Sequence, residues 1–320
     1  MKLILKQNKQ VTHMKTLTQI KQLPLYAVAL AVLFTACSSV NNDVESLSEE
    51  DVELAAEIVA VSLADNESGL VSSMYDAFSD VGESSISYGS DQLFKAKSPR
   101  RNHNSGRGGE RKYTHSYDST TGIHSISYER SVENDLYNKS VSLNQEIIYT
   151  DLDDAFIAQP KVNKDDIEAI SFQGTKTGQT EGPFRSSSFT KTDAFEIAGI
   201  HATSGTLSMN GTHTGAGEAE GQLKDSTTTS RSYNIDISFE NIAIVKDTVL
   251  AYGSLEQGVS GTLTYSIEMN KTVNGVPEET LVEGTIDLEE DGTALLRFNK
   301  LPKVIRFSLV DGESDDRPRR

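Results

Sequence analysis

Hydrophobic residues along this chain keep two different periods, and the change between them divides it. From Ser48 to Val81 they return every three or four positions. Leu54, Ala55, Ile58, Val59 and Leu63 form one stripe, with Glu53 and Glu57 on the other side, the pattern of an amphipathic helix. Ser48-Glu49-Glu50-Asp51 opens that helix with a capping hydroxyl and three acids, which the helix dipole favours in a first turn. Asp65-Asn66-Glu67-Ser68-Gly69 breaks it. Leu70, Met74, Ala77, Phe78 and Val81 then predict a second helix that Gly82 can end. Two short helices cannot bury their faces alone, so they are expected to pack on the C-terminal part of the chain.

From Arg111 onward the period falls to two. Tyr113, His115 and Tyr117 alternate with polar residues, and Asp118-Ser119-Thr120-Thr121-Gly122 turns the chain into a strand from Ile123 to Arg130. The clearest strand sets Tyr233, Ile235, Ile237 and Phe239 against Asn234, Asp236, Ser238 and Glu240. Leu263 to Met269 leads through Asn274-Gly275 into Val282 to Leu288, and Asp291-Gly292 turns into Ala294 to Phe298 before a last strand at Ile305 to Leu309. Alternation of this kind gives one wet and one dry face, the mark of antiparallel sheet. The expected class is mainly β (α+β): two short N-terminal helices packed on a long antiparallel β-meander. It would hold about ten to thirteen strands, curled into a barrel-like sheet or a sandwich. Ser204-Gly205-Thr206-Leu207 is echoed by Ser260-Gly261-Thr262-Leu263, which leaves both chance and duplication open.

Charge is distributed unevenly along the chain. Thirteen acids and no Lys or Arg fall between Ser38 and Phe94. The sign then reverses at Lys95, Lys97, Arg100, Arg101, Arg107, Arg111 and Lys112. The middle of that basic stretch, Ser98 to Gly109, has no apolar residue but Pro99, and reads as a flexible loop. At the N-terminus, residues 1–36 carry five lysines and no acid. An apolar run from Leu25 to Phe34 ends there in Thr35-Ala36-Cys37. This is the layout of a cleavable export signal, too short to span a bilayer, which takes roughly 20 residues. Met14 offers a second candidate start of translation.

Leu33-Phe34-Thr35-Ala36-Cys37 resembles the lipobox of type II signal peptides of bacterial lipoproteins, with Phe34 where Leu is commonest. The resemblance covers the leader and Cys37 alone. It implies a diacylglycerol on the Cys37 sulfur, a further acyl chain on its amine, and cleavage before it. Ser38 after the cysteine implies outer-membrane rather than inner-membrane delivery. Two or more acyl chains hold a protein stably on a membrane. The expected organisation is a signal peptide at 1–36, a lipidated tether at 37–47 and an acidic helical segment at 48–94. A basic flexible loop at 95–110 and an antiparallel β domain at 111–320 complete the chain. Without the leader the charge is −22 rather than −17, which disfavours nucleic acid as a partner. With Cys37 the only cysteine, no intramolecular disulfide is available.

Templates for catalysis find little. No Gly-x-Ser-x-Gly, His-Glu-x-x-His or zinc-spaced Cys/His cluster is present. Gly215-Ala216-Gly217-Glu218-Ala219-Glu220-Gly221 misses dinucleotide spacing by one residue and sets two carboxylates where a phosphate would sit; it reads as a flexible connection between strands. Asp287 to Gly292 imitates the start of an EF-hand, but Phe298 stands where the bidentate Glu is needed. Asp151, Asp153, Asp154, Asp165 and Asp166 are oxygen donors that read as solvated faces. His115 and His124 flank the first hairpin, on the same face or opposite faces according to the turn. Tyr113, Tyr117, Tyr128, Tyr137 and Tyr149 suit cross-strand packing or a sugar- or peptide-binding groove.

No catalytic, metal or cofactor residue is assigned; Cys37 is the one site residue, for lipidation. The expected function is a lipid-anchored, non-catalytic envelope protein that binds or scaffolds. Its partner would be the membrane through Cys37, an envelope protein, a glycan or an apolar ligand. The alternative is a glycan hydrolase using paired Asp/Glu.

Overall fold

The computed structural model describes residues 47–65, 69–79, 110–133, 137–201, 204–222, 228–273 and 276–314. Cys37, the leader, most of the tether, residues 95–109 of the basic loop and the Asn274-Gly275 turn lie outside them. Helix α1 spans Glu49–Leu63 and α2 spans Leu70–Ser79. Ser48 caps α1 as its sequence predicts, its Oγ accepting the Asp51 backbone N–H at 3.1 Å and donating to the Asp51 carboxylate at 2.6 Å.

Eleven strands follow: β1 Glu110–Asp118, β2 Ile123–Glu133, β3 Asn138–Thr150, β4 Ala169–Glu181, β5 Arg185–Ala198, β6 Thr206–Gln222, β7 Thr228–Val245, β8 Val259–Val273, β9 Val276–Glu289, β10 Thr293–Phe298 and β11 Leu301–Ser308. They form one sheet in chain order, every neighbouring pair antiparallel. The predicted meander is therefore present. Among the described residues the sheet does not close, since β1 pairs only with β2 and β11 only with β10.

One expectation is corrected. Gly215 to Gly221 is no flexible connection; it lies inside the 17-residue strand β6. Its glycines make room for neighbours: a Cβ on Gly217 would run into the ring of its β7 partner Tyr233, and Gly178 sits in the same way under its β5 partner Phe189. Edge-of-ring packing over a glycine replaces the missing side chain and lets a sheet bend sharply. A second element escaped the sequence pattern: helix α3, Lys246–Tyr252, bridges β7 and β8 and ends at Gly253 in the left-handed region.

The sheet's inner face carries the core. Ile147, Phe172 and Phe195 are direct partners on β3, β4 and β5, with the two phenylalanine rings stacked 4.7 Å apart. Met209, Ile237, Leu263 and Ile286 continue the apolar layer, and α1 and α2 cover it. A bulge in β7 keeps the face intact: Glu240 and Asn241 together stand opposite Asn210, one residue more than regular pairing, so Phe239 and Ile242 both point inward, with Asn241 at φ 56°. The outer face is a different material. Its rows run Thr114–Ser127–Asn144–Thr175–Thr192–Thr214 and Ser131–Ser140–Gln179–Ser188–Glu218. From β2 to β8 every Lys and Arg occupies an inward position, and every Asp and Glu except Asp193 an outward one.

Candidate binding site

The β1–β2 hairpin settles the face of the two histidines. Asp118 pairs with Ile123 across the turn, so Tyr117 meets His124 and His115 meets Ile126, all on the inner face. The His115 and His124 rings stack at 5.7 Å and 7°. Tyr117 lies 4.5 Å from His124 on one side, and Tyr149 of β3 meets it edge-on at 5.4 Å. The chain between β3 and β4 folds back beneath this cluster. It is seated by the Ile157 N–H donating to Tyr149 O at 2.9 Å and by buried Ile157 and Ile167. Its Ile157 carbonyl accepts from His124 Nε2 at 3.0 Å, which makes Nε2 the protonated nitrogen. Burial holds the His124 pKa below the usual histidine value; the Ile157 carbonyl works the other way and the neighbouring His115 adds to the lowering.

Between hairpin and loop is a cavity of about 270 Å³, walled by His115, His124, Ile126, Tyr149, Pro160 and Val162 among others. The lining is mostly apolar, with the two imidazoles, Gln159 and Lys161 as its polar residues. It suits a small flat apolar molecule held by stacking. Two further hollows, of about 350 and 320 Å³, lie over β1 to β5 and are lined chiefly by Ser, Thr, Asn and Gln. The first includes the single carboxylate Glu129 and the second Glu146; the corner cavity includes none. The paired-carboxylate geometry of a glycosidase is thus not assembled in any of these three.

A polar cluster that sequence reading missed sits where the helices meet the sheet. Asp193 Oδ1 accepts from His213 Nδ1 at 2.7 Å, and Asp193 Oδ2 accepts from Ser73 Oγ of α2 at 2.6 Å. Gln145 donates to Asp76 Oδ2 at 2.9 Å, and Lys191 Nζ donates to Val61 O at 2.8 Å. Among the described residues His213 Nε2 and Ser62 Oγ have no hydrogen-bond partner, and both lie near Gly215. Serine, histidine and aspartate in this order suggest a nucleophile triad, yet His213 and Ser62 are 0% exposed. No substrate reaches them, so the cluster serves as a clamp between helix and sheet. The signal that would have found it is register: Asp193 and His213 are direct partners on β5 and β6.

The remaining candidates resolve into ordinary structure. Asp151 Oδ1 accepts the backbone N–H groups of Asp153 and Ala155, both at 2.9 Å, and so shapes its own turn. Asp165 and Asp166 lie in a single 3-10 turn. Asp287 accepts from Arg297 Nε at 2.7 Å and from Thr262 at 2.9 Å, and the Arg297 hydrogen bond above all keeps its carboxyl below the usual range. Among the described residues no group of three or more His, Cys, Asp or Glu is placed to hold a metal. The tyrosines divide: Tyr149 is buried with its hydroxyl donating to Ala77 O at 3.2 Å, whereas Tyr113 is 63% exposed and Tyr137 44%. Comparison with family models, curated proteins and solved structures finds no match to this chain.

Proposed function

We propose that this chain is a lipid-anchored protein of the bacterial envelope that binds rather than catalyses. Its body is a curled sheet plugged by two helices and held off the membrane by the tether after Cys37. The observation that carries the anchor is Cys37 itself, the sole cysteine, placed directly behind Leu33-Phe34-Thr35-Ala36. The outer face supports the same reading. A sheet that crossed a membrane would turn apolar residues and aromatic girdles outward; this one turns out Ser, Thr, Asn, Gln and acids. Membrane attachment therefore falls to something other than the sheet.

Curling of the sheet is supported by what one end of α1 touches. Lys191 of β5 reaches Val61 O, while Asp65 N–H donates to Leu309 O and Ala60 lies against Gly312, both just past β11. In a flat sheet β5 and β11 would stand roughly 29 Å apart at about 4.8 Å per strand, yet a helix is only about 10–12 Å across. The sheet wraps round the helix end, and the helices occupy the concave side. That arrangement speaks against a half-barrel cradling acyl chains and leaves the His115–His124 corner as the apolar binding site.

Intact-mass analysis of the protein recovered from its membrane fraction tests the anchor. The expected species begins at Cys37 with diacylglycerol and a further acyl chain, and Cys37→Ser releases the protein from membranes. An unmodified Cys37 in wild type, or cleavage elsewhere, overturns it.

A further inference from the structure

The corner beneath the β1–β2 hairpin carries more chemistry than an apolar lining. Its walls are preformed. Phe156 makes an isolated bridge to Thr150, and its ring rests on Gly122, at φ 73°, where a Cβ would run into it. Ile157 is tied at both of its backbone groups, the N–H donating to Tyr149 O and the carbonyl accepting from His124 Nε2. Loop and hairpin therefore hold the cavity open between them, which spares a ligand the cost of ordering them.

Size, surface and charge each narrow what fits. An apolar cavity of about 150 Å³ accepts benzene, so one of about 270 Å³ accommodates a fused pair of rings. The surface selects for flatness. His115 and His124 lie within 7° of parallel, and Tyr149 stands edge-on to His124; aromatic faces and edges pack best on another ring. The charge selects for neutrality. Lys161 stands at the cavity, whereas the same loop carries Asp151, Asp153, Asp154, Asp165 and Asp166, so neither an anion nor a cation is favoured throughout.

One polar atom adds direction. With the proton on Nε2, donated to the Ile157 carbonyl, His124 Nδ1 is an acceptor. Among the described residues nothing donates to it. Nor is it one of the buried atoms sealed away without a partner, so a group the size of water reaches it. We propose that this corner takes a small, neutral, planar aromatic molecule of one or two fused rings. Its face packs on the imidazoles, and a single ring N–H or hydroxyl donates to His124 Nδ1. The inference rests on the reading of the corner as a binding site, and deepens it from an apolar hollow to a site for one chemical class. It does not depend on the anchor at Cys37.

The experiment uses the full chain with Cys37→Ser, which carries no lipid, in buffer without detergent. The chain has no tryptophan, so indole excited beyond the tyrosine band reports on the probe alone, its emission shifting to the blue as it leaves water. Indole is expected to bind saturably. Benzofuran, of the same shape but without a donor, should bind about fivefold more weakly by displacement of indole. Cyclohexanol, with a donor but no flat face, should bind about tenfold more weakly. His124→Phe keeps a ring and removes the acceptor, so indole falls to the affinity of benzofuran, which itself changes little. His115→Ala removes one exposed ring and weakens both about fivefold. Benzofuran as tight as indole, or cyclohexanol as tight as either, overturns the inference and leaves the corner a site for apolar molecules at large. Indole binding that neither variant alters lies elsewhere and overturns it as well. Failure of all three probes removes the corner as a binding site altogether, and with it that part of the proposed function.

Discussion

At the scale of single residues, buried polar groups carry the consequences most open to test. His124 is buried with its pKa held down, below the value of about 6.5 it would have unfolded. The unfolded chain then takes up the proton first as pH falls. Stability from this group is whole above the unfolded pKa and is lost progressively as pH descends toward the folded one. Urea midpoints compared between about pH 7 and pH 5 should fall less steeply in His124→Phe than in wild type; identical slopes would assign the acid sensitivity elsewhere. Asp193 is the second case. Asp193→Ala strands His213 Nδ1 inside the core, takes the acceptor from the half-buried Ser73 hydroxyl, and is expected to cost about 2–4 kcal/mol by chemical denaturation. Asp193→Asn, which keeps one acceptor, should cost less. His213 is visible in sequence as one histidine among several. Its partners are not, because Ser73 lies 120 positions from Asp193 and only register and helix docking bring the three together.

Elements were legible where their period was long enough to count. The helical stripe from Leu54 to Leu63 and the alternation from Tyr233 to Phe239 both appear where expected, in α1 and β7. Helix α3 is seven residues long and buries only Lys246 and Val249, too few to show a period. Gly215 to Gly221 misled for a physical reason: glycines in sequence suggest a turn, but paired with aromatics across the sheet they mark bending within a strand. Gly178→Ala and Gly217→Ala should each destabilise by about 1–3 kcal/mol, as overpacking does, since the rings of Phe189 and Tyr233 occupy the space a methyl would need. Gly205, with nothing within 4 Å of its Cβ position, is the control, and Gly205→Ala should be near neutral. A loss at Gly205 equal to those at Gly178 and Gly217 would show that something other than ring packing sets the response, since alanine restricts the unfolded chain and by that effect alone stabilises.

At the scale of the whole molecule, the helices and the sheet depend on one another. The inner face from β3 to β10 carries the apolar core, and α1 and α2 cover it while tying themselves down through polar contacts: Ser73 and Asp76 to β5 and β3, Asp51 to Lys271 of β8, and Tyr75 OH to Glu256 at 2.7 Å. Most helical stability in proteins comes from packing of this kind, and a sheet stripped of its cover would expose Phe172, Phe195, Met209 and Ile237 together. Such a patch exceeds what a soluble monomer tolerates. The outer face cannot substitute, because its Ser, Thr and acidic rows have nothing apolar to bury. Deleting residues 48–79 is therefore expected to leave 110–320 without a cooperative unfolding transition and strongly binding the dye ANS, whereas Lys271→Met, which leaves the buried Asp51 carboxylate without its partner, should keep a cooperative transition and cost about 3–5 kcal/mol. A deletion variant that stays soluble and unfolds cooperatively would mean that the sheet buries its own core without them. The two helices would then be an occupant of the inner face and not part of the fold.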